Sequence, residues 1–441
     1  MILKQPQMLD ATAKHQSSLS EGSTICSEAL NIDRAEGVFM WDSTGKRYID
    51  LFSQTWSMPL GHNNKAVIEA VRKQLGRITH LRTAYSTPEK VELAKKIIEL
   101  SPKGITKVNF VLHGSLAVEG AIKLAINRYD NRDKILYLED GFHGRSLATM
   151  GVSWKLPDSK YKSYFNNGIE VKKDLEDIEE KMKEHRPAGI ILELIQGNSG
   201  CNILEKELVK GIRELCYKHD VTMIVDEVQT GFGCMGVNFL CSEYEVNPDI
   251  IVFGKAIGGG FPLAGTLYKE EYAFQPGDHS FTFAHNPVSL TAGLAYLNEL
   301  QPNLKRAEIL SPIISEFLNE VETNYPNLIN ARCLGLKGAI DVVDEYGLPD
   351  CKSADLIVSK LLEKGVIISN SRYKHLGNTL MLQPPLITTP KQLQEAFSSF
   401  DSVLSEIYGI KIAHKTNRPF ARMFERMVRK RMDKMRSALH A

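Results

Sequence analysis

Two residues in this sequence have types and positions that could do chemistry together. Lys255 stands in Phe253-Gly254-Lys255-Ala256-Ile257-Gly258-Gly259-Gly260, directly after a short apolar run. Asp226 closes another apolar run, Val221-Thr222-Met223-Ile224-Val225. Each run reads as a buried strand tipped by a charged group. A lysine so placed is stripped of water, which lowers its pKa and frees its amine as a nucleophile. An aspartate held nearby can keep a heterocyclic nitrogen protonated. Together the pair reads as a site for pyridoxal 5'-phosphate, with a lysine Schiff base and an aspartate partner for the pyridinium. The glycine-rich run is not a nucleotide P-loop, because no Ser or Thr follows the lysine.

Such a pair needs a scaffold, and the flanking pattern supplies one. Helix 88–100 precedes strand 106–112, helix 115–128 precedes strand 134–139, and an apolar run at 188–195 precedes helix 204–219. Strands 221–226 and 249–254 follow. Short β-branched runs separated by helical spacing imply a mostly parallel sheet covered on both faces. Ligands of such sheets bind at the carboxyl ends of the strands, where Asp226 and Lys255 both sit. Before this region, residues 37–50 read as a hairpin around Asp42-Ser43-Thr44-Gly45, followed by a helix at about 64–76. After it, a helix near 305–323, strands near 330–343, 366–370 and 379–383, and helices at 353–363 and 390–406 describe a smaller α+β lobe. Pro384-Pro385 must end the last strand or place it at an edge.

The expected organisation is an N-terminal arm and small-domain segment (1–75), a cofactor-binding large domain (76–304), a C-terminal small domain (305–410) and a tail (411–441). The 441 residues are 43% hydrophobic and 24% charged, ordinary for a soluble globular protein. A net charge of +1 carries no polyanion-binding signature. Seven cysteines, an odd number with no C-x-x-C pair, fit reduced thiols and a cytoplasmic location better than disulfides or a zinc site. The start lacks the apolar core of a signal peptide, and no apolar run is long enough to span a bilayer.

The segments 223–233, with Asp-Glu-Val-Gln-Thr-Gly-Phe-Gly at 226–233, and 253–262 resemble the signature of class III pyridoxal-phosphate aminotransferases. That group contains the ornithine, acetylornithine and 4-aminobutyrate aminotransferases. The likeness runs in order from about residue 37 to 408. It implies a homodimeric fold-type-I transferase working by ping-pong transfer from an amine donor to a carbonyl acceptor. It also implies that Lys255 is the Schiff-base lysine and proton carrier, that Asp226 holds the pyridinium N–H, and that Gln229 hydrogen-bonds the ring's phenolic oxygen.

Phe110-Val111-Leu112-His113-Gly114-Ser115 opens a helix whose first turn would present free N–H groups. It is similar to the family's phosphate cup, with Gly114 and Ser115 as binding positions. The family usually has serine at the position of His113 and an acidic residue at that of Leu116. Phe142, in Gly141-Phe142-His143-Gly144-Arg145, resembles the aromatic that stacks on the cofactor ring, and Arg145 matches an arginine that can bind a substrate carboxylate. Thr282 matches a threonine that reaches the neighbouring subunit's phosphate; on its own it could equally cap the helix at 286–300. Trp56 occupies the region that lines the substrate pocket.

Glu193 matches the first glutamate of the family's E-P-x-Q-G-E run, with Leu194 replacing proline and Asn198 at the second acidic position. In many members a glutamate of this run pairs with an arginine before the C-terminal Pro-Pro, and the pair opens and closes as substrates alternate. Met381 stands at that arginine position, so both halves of the switch are missing. An arginine grips a carboxylate by paired charge-assisted bonds, and methionine cannot. The expectation is a substrate without the usual α-carboxylate, such as an amine or amino sugar, or one whose carboxylate goes to Arg145. Cys234, where the family often has arginine, has no functional reading.

The tail carries ten Lys/Arg and two acidic residues, with Phe420, Met423, Phe424, Met427, Val428, Met432, Met435 and Leu439 at helical spacing. It reads as a basic amphipathic helix that packs on the enzyme body or meets a partner protein, a nucleic acid or an anionic membrane surface. Two rival functions remain: a pyridoxal-phosphate racemase or epimerase, and a non-catalytic binding protein that uses this tail. The presence of Lys255, Asp226 and Gln229 together weighs against the second.

Overall fold

The computed structural model describes residues 30–154, 166–371 and 377–409. Its centre is a seven-stranded sheet in the order Ile105–Val111, Ala264–Lys269, Ile250–Phe253, Thr222–Asp226, Gly189–Leu192, Ile135–Leu138, Gly168–Val171. Ala264–Lys269 is antiparallel to both neighbours, and every other pairing is parallel. The mixed α/β class read from the alternating pattern is therefore what the chain adopts.

Alternate residues along each strand point to opposite faces, and the apolar core divides accordingly. Leu136, Ile190, Leu192, Met223, Val225, Ile251 and Phe253 pack into one layer. Ile135, Tyr137, Ile191, Ile224, Ile250 and Val252 pack into the other. Burial on both faces explains why these strands are apolar throughout, without polar alternation. It also explains why the carboxylate of Thr222–Asp226 stands at the strand's end.

The flanking helices start where local chemistry favours it. Thr87 accepts from the Lys90 N–H and Pro88 opens Pro88–Leu100; Asn286 accepts from Val288 and Ser289 and Pro287 opens Pro287–Leu300. Thr389 and Gln392 form a reciprocal capping box at the head of Pro390–Tyr408. The cap at 286 removes the capping alternative for Thr282.

Besides the two-stranded pair Ile195–Gln196 and Asn202–Ile203, two four-stranded sheets complete the fold. Ile32–Glu36, Phe39–Asp42 and Arg47–Asp50 form a meander joined by Val366–Ile367. Leu328–Leu334, Lys337–Val342, Thr379–Leu382 and Ser369–Asn370 form the other. Three expectations need correction. Residues 32–36, where the sequence suggested no strand before the hairpin, form one because their backbone pairs with Phe39–Asp42. The strand at Ala264–Lys269 went unread because its first residues are small. The strand expected at 366–370 is two, handed from one sheet to the other across the buried Ile368. The last strand ends at Leu382, before Pro384-Pro385. The basic tail at 411–441 lies outside the described residues.

Candidate active site

The strands Thr222–Asp226 and Ile250–Phe253 are neighbours in register, Val225 opposite Ile251, so their carboxyl ends open onto the same cavity. Its volume is about 770 Å3. Its walls bring together Trp56, Gly114, Ser115, Phe142, Arg145, Glu193, Asp226, Gln229 and Lys255, drawn from positions two hundred residues apart. Two expected site residues stand elsewhere. Met381 is buried in the strand Thr379–Leu382, opposite Ala339, and does not line the cavity. Thr282 is exposed and lies outside the cavity of its own chain.

Lys255 follows Gly254 at the head of a short 3-10 turn and holds a positive φ of 46°. Its Nζ lies 5.5 Å from the centre of the Trp56 ring. Burial pushes its pKa down from 10.5 to about 8, and the nearby Lys337 ammonium pushes in the same direction. Asp226 and Glu193 oppose that shift without reversing it. The amine is thus far easier to deprotonate than an exposed lysine.

Asp226 is 6% exposed and tightly held. Oδ1 accepts from the Val228 N–H at 3.0 Å, and Oδ2 lies 2.8 Å from His143 Nδ1. The following turn is anchored by Glu227, fully buried, which accepts from the N–H groups of Leu240 (2.9 Å) and Cys241 (2.8 Å) and from Thr230 Oγ1 (2.8 Å). That anchor gives Asp-Glu-Val-Gln a fixed shape, with Asp226 and Gln229 facing the cavity and Glu227 facing the core.

Helix Gly114–Asn127 begins at the cavity rim, and no side chain caps it. The N–H groups of a helix's first turn lack intrahelical partners and carry the positive end of the dipole. Ser115 Oγ accepts from the Arg145 N–H at 3.2 Å, so the cup is tied to the Phe142 loop. Glu193 Oε2 accepts from the Phe142 N–H at 2.9 Å. Burial raises the Glu193 pKa to about 7. This glutamate therefore orients the loop bearing the aromatic ring. Arg145 is exposed at the mouth, with its guanidinium 5.9 Å from the Phe142 ring centre.

The wall bearing Trp56 is built from distant segments. Ser53 through Trp56 all hold positive φ, from 47° to 64°, a left-handed turn that L-residues adopt only under tertiary constraint. Ser53 Oγ donates to the Gln383 carbonyl at 2.6 Å, and the Cys234 thiol lies 3.5 Å from the Trp56 carbonyl. Gln383 Nε2 in turn donates to the Cys234 carbonyl at 3.3 Å. Cys234 thus helps hold the wall.

Two residues escaped the sequence reading. His143 had a signal, since it is adjacent to Phe142 in a strand-to-helix loop. Lys337 had a weaker one: a lysine inside the apolar strand Lys337–Val342. It is 2% exposed, and its Nζ donates to Gln229 Oε1 at 2.9 Å and stands 4.0 Å over the Trp56 ring.

The cavity fits pyridoxal phosphate in each part. It offers an easily deprotonated amine for the aldehyde, a buried carboxylate for the ring nitrogen and an open helix N-terminus for the phosphate. Apolar Val228 and Phe142 are available for the ring. A side chain at Gly114 would crowd that space, since a Cβ would meet Val228 Cγ1 at 3.1 Å. Fold and site together are those of a fold-type-I pyridoxal-phosphate-dependent transferase.

The comparisons with known proteins narrow this to one family. The model described as "Aminotransferase class-III" matches residues 23–404, and the chain belongs to the class III aminotransferases. It is 36% identical over 386 residues to the acetylornithine aminotransferase of Caldanaerobacter subterraneus, covering 85% of this chain and 94% of that one. It is 32% identical over 379 residues to the acetylornithine aminotransferase of Archaeoglobus fulgidus, covering 85% and 95%. Among solved structures, a Bacillus anthracis aminotransferase matches with a TM-score of 0.86 at 25% identity, covering 92% of this chain and all of that one. The chain is a pyridoxal-phosphate-dependent aminotransferase.

Proposed function

We propose that this enzyme moves an amino group from an amine or amino-acid donor to a carbonyl acceptor in two half-reactions sharing one cavity. One of its substrates either lacks an α-carboxylate, as an amine or amino sugar would, or has that carboxylate held by Arg145. The observation that carries the substrate reading is the pair Met381 and Asn198. Methionine is buried at the position where the family's arginine would stand, and an uncharged amide lines the cavity at the acidic position. Arg145 is left as the arginine at the cavity mouth.

When bound, pyridoxal phosphate supplies the aldehyde that takes up the amino group and a ring that accepts electron density. The residues divide the remaining work. Lys255 Nζ would hold the aldehyde in the resting enzyme and carry the substrate's proton. Asp226, fixed by His143 and Val228, would hold the ring nitrogen. Gln229 would hold the phenolic oxygen, and Gly114 and Ser115 would hold the phosphate at the helix N-terminus. Phe142 would cover the ring, and Trp56 would limit the substrate side. Glu193 sets the Phe142 loop. Thr282 is exposed outside its own cavity, which leaves it available to a second copy, and a homodimer with shared sites follows from that reading.

Half-reactions test this. Donor alone should bleach the enzyme's visible band, and acceptor should restore it. Racemisation of a chiral amine without bleaching would refute aminotransfer. The relatives' name makes acetylornithine the first donor to try, beside ornithine, 4-aminobutyrate, simple amines and amino sugars. A preference for acetylornithine or ornithine that survives Arg145→Ala would refute the substrate reading.

A further inference from the structure

Lys337 is an amine buried where the interior gives a positive charge little support, and burial pushes its pKa down. Among the carboxylates of the described residues, Glu193 acts on it through space only. The contacts of the amine are one amide oxygen, Gln229 Oε1 at 2.9 Å, and the face of Trp56 at 4.0 Å. Leaving an ammonium in such a place is costly unless it serves something.

The hydrogen bond itself says what it serves. An ammonium has donors and no acceptor, so the Gln229 atom facing it must be the oxygen. The amide nitrogen, with two donors, is then turned the other way. Lys337 lies behind the cavity wall and Gln229 forms part of that wall, so the nitrogen is the end presented to the cavity. The backbone at 197 closes the same niche. A Cβ on Gly197 would come within 1.7 Å of Gln229 Oε1 and 2.8 Å of Lys337 Nζ. The oxygen therefore sits in a recess shaped for it, with a cation at its end.

We propose that Lys337 is a positioning residue: it locks the Gln229 amide with Oε1 in the recess and Nε2 toward the phenolic oxygen of the bound cofactor. The inference rests on the reading of Lys255, Asp226 and Gln229 as the cofactor-facing set. With the cofactor bound, a donor at its phenolic oxygen would draw electron density from that oxygen and lower the pH at which the lysine-linked chromophore titrates. Lys337 acts in the same direction through space, since its charge opposes protonation of Lys255. The other ionisable groups facing these two amines are Asp226, Glu193, Cys201 and Cys234, and they are unchanged by substitution at 337.

The test uses full-length enzyme, stripped and then titrated with pyridoxal phosphate. Two quantities are read: the dissociation constant and the pH midpoint of the visible band. Lys337→Met removes the cation while keeping an unbranched apolar stem. It should weaken binding about tenfold, the size of one lost hydrogen bond. It should also raise the midpoint by roughly half a unit or more. Lys337→Arg, still a cation without acceptors, should restore both values toward wild type. Gly197→Ala keeps the charge but displaces the amide, and should also weaken binding. Wild-type affinity and midpoint in Lys337→Met would overturn the proposal. If that variant does not fold, unchanged affinity in Gly197→Ala overturns it instead. A wild-type protein that forms no visible band at all would refute the site reading beneath it, a distinguishable result.

Discussion

His143 Nδ1 sits 2.8 Å from Asp226 Oδ2, and both side chains are buried. With the Val228 N–H on Oδ1, both carboxylate oxygens have partners and the group cannot rotate. The aspartate is therefore fixed in one orientation at the cavity wall.

Replacing His143 by Ala should loosen that aim. A hydrogen bond to a charged group contributes about 1.5–3 kcal/mol, which predicts a loss of kcat/KM of roughly 10- to 100-fold. Steady-state kinetics beside the cofactor dissociation constant would check it. Full activity in His143→Ala would show that Asp226 is held well enough without it.

Lys255→Ala should abolish turnover and leave a protein that binds pyridoxal phosphate without the band of a lysine-linked aldehyde. Absorbance and reduction with borohydride followed by mass analysis would decide. A covalent adduct on another lysine would contradict the assignment.

The rate at which stripped enzyme captures pyridoxal phosphate should depend on pH. The attacking species is the neutral amine, which is depleted below the pKa and predominates above it. With that pKa at about 8 in place of 10.5, the rate should rise through pH 8 and level off by pH 9. Stopped-flow absorbance reads this directly, and a rate still climbing steeply at pH 10 would refute the lowered value.

Gly144 has φ +134°, and a Cβ there would come within 2.4 Å of Ser115 Oγ and 2.6 Å of Thr149 Oγ1. Gly144→Ala should cost about 1–3 kcal/mol of stability through backbone strain. It should also weaken cofactor binding by shifting Ser115. Chemical denaturation and the cofactor titration test the two parts separately.

Glu227→Ala would leave two buried N–H groups, at 240 and 241, without their acceptor. Each such loss costs about 1–3 kcal/mol, so a marked fall in the denaturation midpoint is expected even with cofactor absent. An unchanged midpoint would mean the turn after Asp226 is held by something else.

What could be read in the sequence follows from burial. The strands leading to Asp226 and Lys255 were legible because both faces are covered, so the runs stay apolar up to the cavity. Helix starts were legible at Pro88, Pro287 and Pro390 because their caps are local. Contacts made only by folding were not. Lys337 meets Gln229 from 108 positions away, and nothing near it in the chain announces that meeting. The strand Ala264–Lys269 begins Ala-Gly-Thr, and Gly265 is required there because a Cβ would strike Phe253 Cζ at 2.4 Å. Close approach selected a small residue, which removed the hydrophobic signal. Asn198 and Met381 were visible as departures, but only the fold separates the one that lines the cavity from the one that does not.

That reversed strand has a consequence for movement during turnover. Phe253 and Gly265 are partners in an antiparallel pair, so Lys255 lies in the bend that joins its two arms. Both arms are stitched into the sheet, and the connection between them, residues 254–263, opens with the 3-10 turn that carries Lys255. The reach of the amine across the cavity is then set by rotation about its four methylenes.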